Sequence, residues 1–308
     1  MGLREVGFFV RGRLNHTLSR ALNRRRPAAA VTPLALETVL AMADPAPLDI
    51  ARAFEGRSNA AREALVARYL DARGIAFETH RFKSFEGAGE NYAVDVGRGD
   101  RILVLIAHHD AVPGSPGAND NAASLGILLR LLRRLAADPP SRLRVRFLFT
   151  AAEELGYLGA RAYVRDRDVA GIAGVVSLEL CGIGDSVALW DAGSESPLLR
   201  AYRSAADDLG WRPDEGYHVV GRIPVFGSDH RAFTHEGIPG YGLTVIPVAE
   251  AEALRRFVLT PWRGVLQQVT RRPPPFATYH TANDRCDTLD PAALDRTAVL
   301  LEGLVRTF

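Results

Sequence analysis

The chain predicts an α/β fold, a three-layer α/β/α sandwich around a mixed, mainly parallel central sheet. Three observations carry this. From about residue 100 onward, apolar runs of strand length alternate with longer segments whose apolar residues recur every three or four positions, the order that builds helices onto a parallel sheet. The run 102–107 is apolar at every position, as a strand buried on both faces must be. Acidic and imidazole residues stand where such runs end, and in open sheets ligands gather beyond the carboxyl ends of the strands.

The N-terminal segment reads as a leader or linker. Phe8-Phe9-Val10 is too short for a signal-peptide core, and Arg11 and Arg13 interrupt it at once. Val10, Leu14, Leu18 and Leu22 recur every four residues among Arg11, Arg13, Arg20, Arg24, Arg25 and Arg26. That is a basic amphipathic helix, suited to an anionic membrane surface, to a partner, or to docking on its own domain. Arg26-Pro27-Ala28-Ala29-Ala30 reads as a joint, so residues 1–30 form a leader or linker and residues 31–308 a single catalytic domain.

A helix is expected from an Asn59 cap to Arg73, with Ala61, Leu65, Tyr69, Val66 and Leu70 as its buried stripe and Gly74 closing it. Strands follow over 76–82 and 92–96, and 97–100 reads as a hairpin-like turn into the strand at 102–107. Helices over 121–135, 156–165 and 197–209 then alternate with strands over 143–150, 175–180 and 241–246. A last helix starts at Pro291 with Asp290 as its cap. Residues 247–276 break the rhythm with a helical stretch over 251–258, Trp262 and Pro273-Pro274-Pro275. They are expected to cover the site entrance, to mediate dimerisation, or simply to connect.

Composition narrows the function. At 308 residues, 47% hydrophobic and 24% charged, this is an ordinary globular chain, and a net charge of +2 gives no sign of nucleic-acid binding. Cys181 and Cys286 are too few for a disulfide framework and are expected to be small buried apolar residues. No apolar run approaches the roughly 18 residues of a membrane span. A cytoplasmic location is expected.

Five segments carry candidate chemistry: His108-His109-Asp110, Gly117-Ala118-Asn119-Asp120, Glu153-Glu154, Glu179 and Tyr279-His280-Thr281. Nitrogen and carboxylate ligands suit zinc, and a catalytic site keeps one position open. On an extended strand His108 and Asp110 face the same side, so one can ligate while the other supports it, and His109 points away. Asp120 is expected to open a helix, where it serves as an N-cap or bridges two ions. Adjacent Glu153 and Glu154 at a strand mouth repel unless a cation compensates or one of them becomes protonated. One would ligate while its neighbour takes a proton from water, which zinc makes more acidic, with a pKa of about 7. Glu179 closes an apolar strand and needs a cationic partner, while His280 joins as a second imidazole. The pattern points to a zinc-dependent hydrolase.

These segments, together with Gly227-Ser228-Asp229-His230-Arg231-Ala232-Phe233 and Gly237-Ile238-Pro239, resemble the zinc aminopeptidase family that also includes the glutaminyl cyclases. Motif order is intact over roughly residues 57 to 308. The resemblance implies that His108 and Glu179 hold one zinc ion, Glu154 and His280 the other, and that Asp120 bridges them. It implies Glu153 as general base, Asp110 as a support behind the ligands, and Asp229 and His230 beside the substrate pocket. The fourth ligand of the family is usually aspartate, where this chain has Glu179. Two zinc ions are expected, or one if that position is weak. The activity implied is that of an exopeptidase, an aminopeptidase or dipeptidase acting on peptides. The alternatives are a single-zinc glutaminyl-peptide cyclotransferase and a silent binding protein on the same scaffold. Trp190, Phe226, His230, Tyr241 and the 247–276 segment are expected to wall the pocket.

Overall fold

The computed structural model describes residues 3–25, 27–224, 226–260 and 272–308. Every side chain of its strand β3 (Ile102–His108) is buried. Leu103, Leu105 and Ala107 join one core, while Ile102, Val104 and Ile106 join another. This is the period-two split of a strand covered on both faces, and it explains the unbroken apolar run. The other strands of the sheet are β1 (Glu78–Lys83), β2 (Ala88–Gly97), β4 (Arg144–Thr150), β5 (Ile172–Leu178), β6 (Ser186–Trp190), β7 (Tyr217–Val219) and β8 (Gly240–Ile246). Their order is β1-β2-β4-β3-β5-β8-β6-β7. Strands β4, β3, β5 and β8 run parallel. Strands β2 and β1 are antiparallel additions on one side, and β6 is antiparallel to β8 on the other.

On the larger face, α2 (Leu36–Ala41), α3 (Pro47–Phe54), α4 (Asn59–Ala72), α5 (Ala123–Ala137), α7 (Pro197–Asp208) and α10 (Pro291–Thr307) share one core with the sheet. The opposite face is covered by α6 (Leu158–Asp166) and α8 (His230–Thr234), through Tyr163 and Phe233. Helix α9 (Ala251–Leu259) lies in the irregular segment, as its helical pattern predicts, while Trp262 falls outside the described residues. Near the N-terminus lies α1 (Leu3–Arg25). It rests on the chain after β4, where a Cβ at Gly12 would come within 2.5 Å of the Leu155 backbone, and its outer face leaves Val10, Leu14, Leu18 and Leu22 exposed.

Several expectations need correction. Residues 97–100 are no hairpin, because β4 lies between β2 and β3 and the chain must cross over it. The crossing is tight: a Cβ at Gly99 would sit 2.2 Å from the Arg142 carbonyl oxygen. The cap of α4 is Ser58, whose Oγ accepts the Ala61 N–H at 3.3 Å. Asn59 is freed to bond both the N–H and the carbonyl of Ala111. Helix α5 starts at Ala123, so Asp120 precedes it instead of capping it. The short elements α2, α3, β6, β7 and α8 were not anticipated, since three to eight residues show too little periodicity. Asp290 does cap α10, accepting the Ala292 N–H at 2.9 Å. Both cysteines are free and buried.

Candidate metal centre

Strands β3, β4 and β5 are neighbours, so the segments that leave their carboxyl ends converge. His108 ends β3, Glu153 and Glu154 form a single turn just after β4, and Glu179 follows β5 directly. Asp120 comes from the loop before α5, and His280 from the loop before α10. The result is two three-residue clusters, His108–Asp120–Glu179 and Asp120–Glu154–His280, within each of which one ligand atom per residue lies within 4.8 Å of the others. Asp120 belongs to both. Its Oδ1 is 3.2 Å from His108 Nε2, and its Oδ2 is 3.2 Å from His280 Nε2. Glu179 Oε2 is 3.6 Å from His108 Nε2, and Glu154 Oε2 is 3.0 Å from His280 Nε2.

These residues fit zinc. Two ligands each about 2.0 to 2.1 Å from a tetrahedral ion stand about 3.3 Å apart, close to the spacings here. His108 Nε2, His280 Nε2 and Glu154 Oε1 are buried without a hydrogen-bond partner, although carboxylates surround the two imidazole nitrogens. Atoms this close that do not hydrogen-bond are arranged around a shared point, as ligands are.

A second layer aims these groups. Asp110 Oδ1 and Oδ2 accept the backbone N–H groups of Glu153 and Glu154 at 3.0 and 3.1 Å, and Oδ1 lies 3.4 Å from His108 Nδ1. One carboxylate thus steadies His108 at the end of β3 and the Glu153–Glu154 turn after β4. His109 points the other way, with Nε2 on the Glu90 carbonyl at 3.0 Å, and burial pushes its pKa down to about 4. Ser228 Oγ donates to Glu179 Oε1 at 2.5 Å. The carboxylate of this longer side chain is therefore anchored.

The electrostatics are those of a cage for cations. Burial disfavours charge on His108, but Glu179, Asp110 and Asp120 outweigh it and hold its pKa well above the usual value. His280 rises to about 10 against the same burial because Glu154 and Asp120 face it. Burial, with neighbouring Asp120, lifts Glu154 to about 7. Glu153 is pushed well above the carboxylate range by burial, reinforced by Glu179 and Glu154. Crowded carboxylates in a dry site either take up protons or share a cation.

Beside the cage opens a cavity of about 420 Å³ whose lining includes Asp120, Glu153 and Glu179. Trp190, Ile223, Phe226, Leu254, Val258 and Phe276 give its apolar walls. Trp190, Phe226 and the described parts of the 247–276 segment line it as expected, but His230 and Tyr241 do not. His230 is fully buried behind Trp190, its Nε2 on Asp191 at 3.0 Å, and the Tyr241 hydroxyl is held by Ser196. Asp229 is also fully buried, hydrogen-bonded to Thr150, with its pKa raised to about 7 by burial.

Three residues at the site were missed. Asp284 accepts the N–H groups of Asn119 and Asp120. Arg62 is wholly buried behind the cage and donates to the carbonyls of Phe54, His109, Pro116 and Gly117. Asn23 reaches in from α1. Arg62 left a readable signal, since it falls in register with Val66 and Leu70 on the buried stripe. Asp284 left only its place four residues past His280.

Residues 91–305 match the profile described as Peptidase family M28. The probable lipoprotein aminopeptidase LpqL of Mycobacterium tuberculosis is 32% identical over 244 residues, 72% of this chain and 44% of that protein. The chain spans half or less of the length of the first curated relatives it matches. Among solved structures, a zinc aminopeptidase of Bacillus subtilis superposes with a TM-score of 0.56 at 22% identity, over 71% of this chain and 50% of that one. An Acidobacteriales bacterium glutaminyl cyclase superposes with a TM-score of 0.63 at 21% identity, over 91% and 97%. At these identities the two structures speak for the fold, whereas the profile covers more than half of the sequence, including His108, Asp120, Glu154, Glu179 and His280. The chain belongs to peptidase family M28.

Proposed function

We propose that this protein is a zinc-dependent aminopeptidase that binds two ions and removes an N-terminal residue with a bulky apolar side chain. One observation carries the reading: Asp120 is shared by two clusters of candidate ligands and lines, together with Glu153, which belongs to neither cluster, a largely apolar cavity. His108, Glu179 and Asp120 would hold one ion, and Glu154, His280 and Asp120 the other. Zinc, when bound, would polarise the scissile carbonyl and acidify water.

The remaining work falls to side chains. Glu153 sits where burial raises its proton affinity. It takes a proton from the water whose oxygen bonds to the carbonyl carbon, and delivers it to the amine nitrogen as the C–N bond breaks. Asp110 holds the backbone of both glutamates so that this exchange does not move Glu154. Carboxylates at the inner end of the cavity suit the ammonium of a free N-terminus, and the apolar walls receive its side chain. Zinc stoichiometry combined with a panel of aminoacyl anilides tests the reading. Two ions per chain with release from leucyl or phenylalanyl substrates supports it. One ion with ammonia release from a glutaminyl peptide would replace it with cyclisation.

We also infer that α1 touches an anionic membrane surface. Of seven large hydrophobic side chains exposed among the described residues, four form its outer stripe, and Arg13, Arg20, Arg24 and Arg25 are exposed around them. Co-sedimentation with phosphatidylglycerol vesicles, reduced in L14E/L18E and absent with neutral vesicles, is expected. Equal binding by that variant would discard the inference.

A further inference from the structure

Helix α1 reaches three of the segments around the cage: the turn after β4, the loop after His108 and the His280 loop. At its start, Phe8 and Gly12 pack on the turn that carries Glu153 and Glu154. A Cβ at Gly156 would lie 2.5 Å from the Phe8 carbonyl oxygen, and the Phe8 ring meets Tyr157 edge-on at 5.4 Å. Gly156 has φ +82°, so a side chain there is disfavoured by conformation as well as by space. At its end, Asn23 is buried, and both bonds of its side-chain amide go to loops that bear ligands. Nδ2 donates to the Pro113 carbonyl at 3.0 Å and to the His280 carbonyl at 3.3 Å.

The seat for Asn23 is shaped for it. Gly114, at φ +82°, would place a Cβ 2.6 Å from Asn23 Cβ, so only glycine lets the helix come this close. His280 itself has φ +62°, a left-handed conformation that a non-glycine residue keeps only when its surroundings impose it. Arg272 holds the neighbouring Tyr279 carbonyl at 2.9 Å, and the Tyr279 ring stacks on His280 at 3.7 Å. The bond on the His280 carbonyl comes from Asn23. An amide with two N–H donors can tie two carbonyls at once, which serine or alanine cannot do.

We propose that α1 is part of the metal centre and that Asn23 is a positioning residue, tying the His280 loop to the loop after His108 and so setting the affinity of the Asp120–Glu154–His280 position for zinc. The inference rests on the two-cluster reading above. Removing the tie frees the His280 loop, whereas His108 and Glu179 stay fixed at the carboxyl ends of β3 and β5. Losses of about 10- to 100-fold in metal affinity are usual when a group that orients a ligand is removed.

The test is equilibrium zinc occupancy of the full chain at buffered free-zinc concentrations, with H280A and H108A marking the two positions. N23A is expected to match wild type at high free zinc and to drop to the occupancy of H280A at about 10-fold higher free zinc than wild type does. The remaining ion should keep its wild-type affinity. Equal weakening of both positions, or no weakening, would overturn the proposal, the first by showing a general structural role. If N23A does not fold, N23S, which keeps one donor, is judged by the same criteria. A wild-type protein that binds no zinc would overturn the two-cluster reading and this inference together. Zinc binding unchanged in N23A would overturn this one alone.

Discussion

Asp284 Oδ2 accepts the backbone N–H of Asp120 at 3.1 Å, so one buried carboxylate aims another. Its Oδ1 takes the N–H of Asn119 at 2.7 Å, which fixes two successive peptide units of the loop. Burial, with the charge of Asp120 beside it, raises the Asp284 pKa to about 7. Asp120 faces both clusters, so freeing its backbone disturbs both. D284A is expected to lower zinc affinity about 10- to 100-fold at both positions. Chelator competition on the purified variant measures this, and loss confined to one position would contradict a shared role for Asp120.

Glu153 lies on the cavity wall but in neither ligand cluster. E153Q keeps the volume and removes the proton acceptor. Turnover of an aminoacyl anilide should fall about 100- to 10,000-fold while both ions stay bound. Normal turnover in E153Q would remove this residue from the chemistry, and lost zinc would make it a ligand instead.

Much of this site was legible because the sheet does the gathering. Once strands β3, β4 and β5 lie parallel, residues at their carboxyl ends must meet, so His108, Glu153, Glu154 and Glu179 could be grouped from apolar runs alone. Asp120 and His280 lie on loops, and only the motifs around them gave them away. What stayed hidden depends on contacts between distant segments. Asn59 looked like a helix cap by local chemistry, yet Ser58 takes that role and Asn59 binds Ala111 across the fold. His230 looked exposed to substrate but is shielded by Trp190, on a strand too short to show a period. The bonds of Asn23 span 90 and 257 residues, and no local pattern encodes them.

Glu179 reaches about 1.5 Å further than an aspartate would. Ser228 Oγ binds its Oε1 at 2.5 Å and is 2.7 Å from Ser177 Oγ, so a chain of hydroxyls fixes the longer side chain. E179D should retract the carboxylate from both His108 and Ser228. Zinc at the His108 position is expected to weaken by about 10-fold or more, with the His280 position retained. S228A should do the same more mildly. Tighter zinc in E179D would mean that glutamate is a compromise at this position.

Phe276 forms an apolar wall of the cavity and packs against Phe226 at 4.6 Å between ring centroids. F276A should reduce kcat/KM for leucyl and phenylalanyl anilides about 10-fold while leaving the alanyl substrate nearly unchanged, within the 1 to 3 kcal/mol that apolar pocket contacts discriminate. An equal loss on all three would place Phe276 in general support of the loop, outside side-chain recognition.

Asp191 provides a test of acid stability away from the ligands. It accepts from His230 Nε2 at 3.0 Å and from Arg231 Nε at 2.7 Å, with its side chain only 10% exposed. Burial opposes its charge, but the bonds from His230 and Arg231 win and hold its pKa below the ordinary 3.8. Between the folded and ordinary values, the unfolded chain carries the proton and the native chain does not. Stability therefore rises with pH through that window; the contribution is complete above 3.8 and fades as the pH falls through the folded value. Urea midpoints should decline below about pH 4 in the wild type. D191N should begin less stable at pH 7 and decline less steeply. Both proteins need chelator throughout, so that loss of zinc in acid does not enter the comparison. Parallel curves for the two would show that the pair with Arg231 adds nothing that depends on protonation of Asp191.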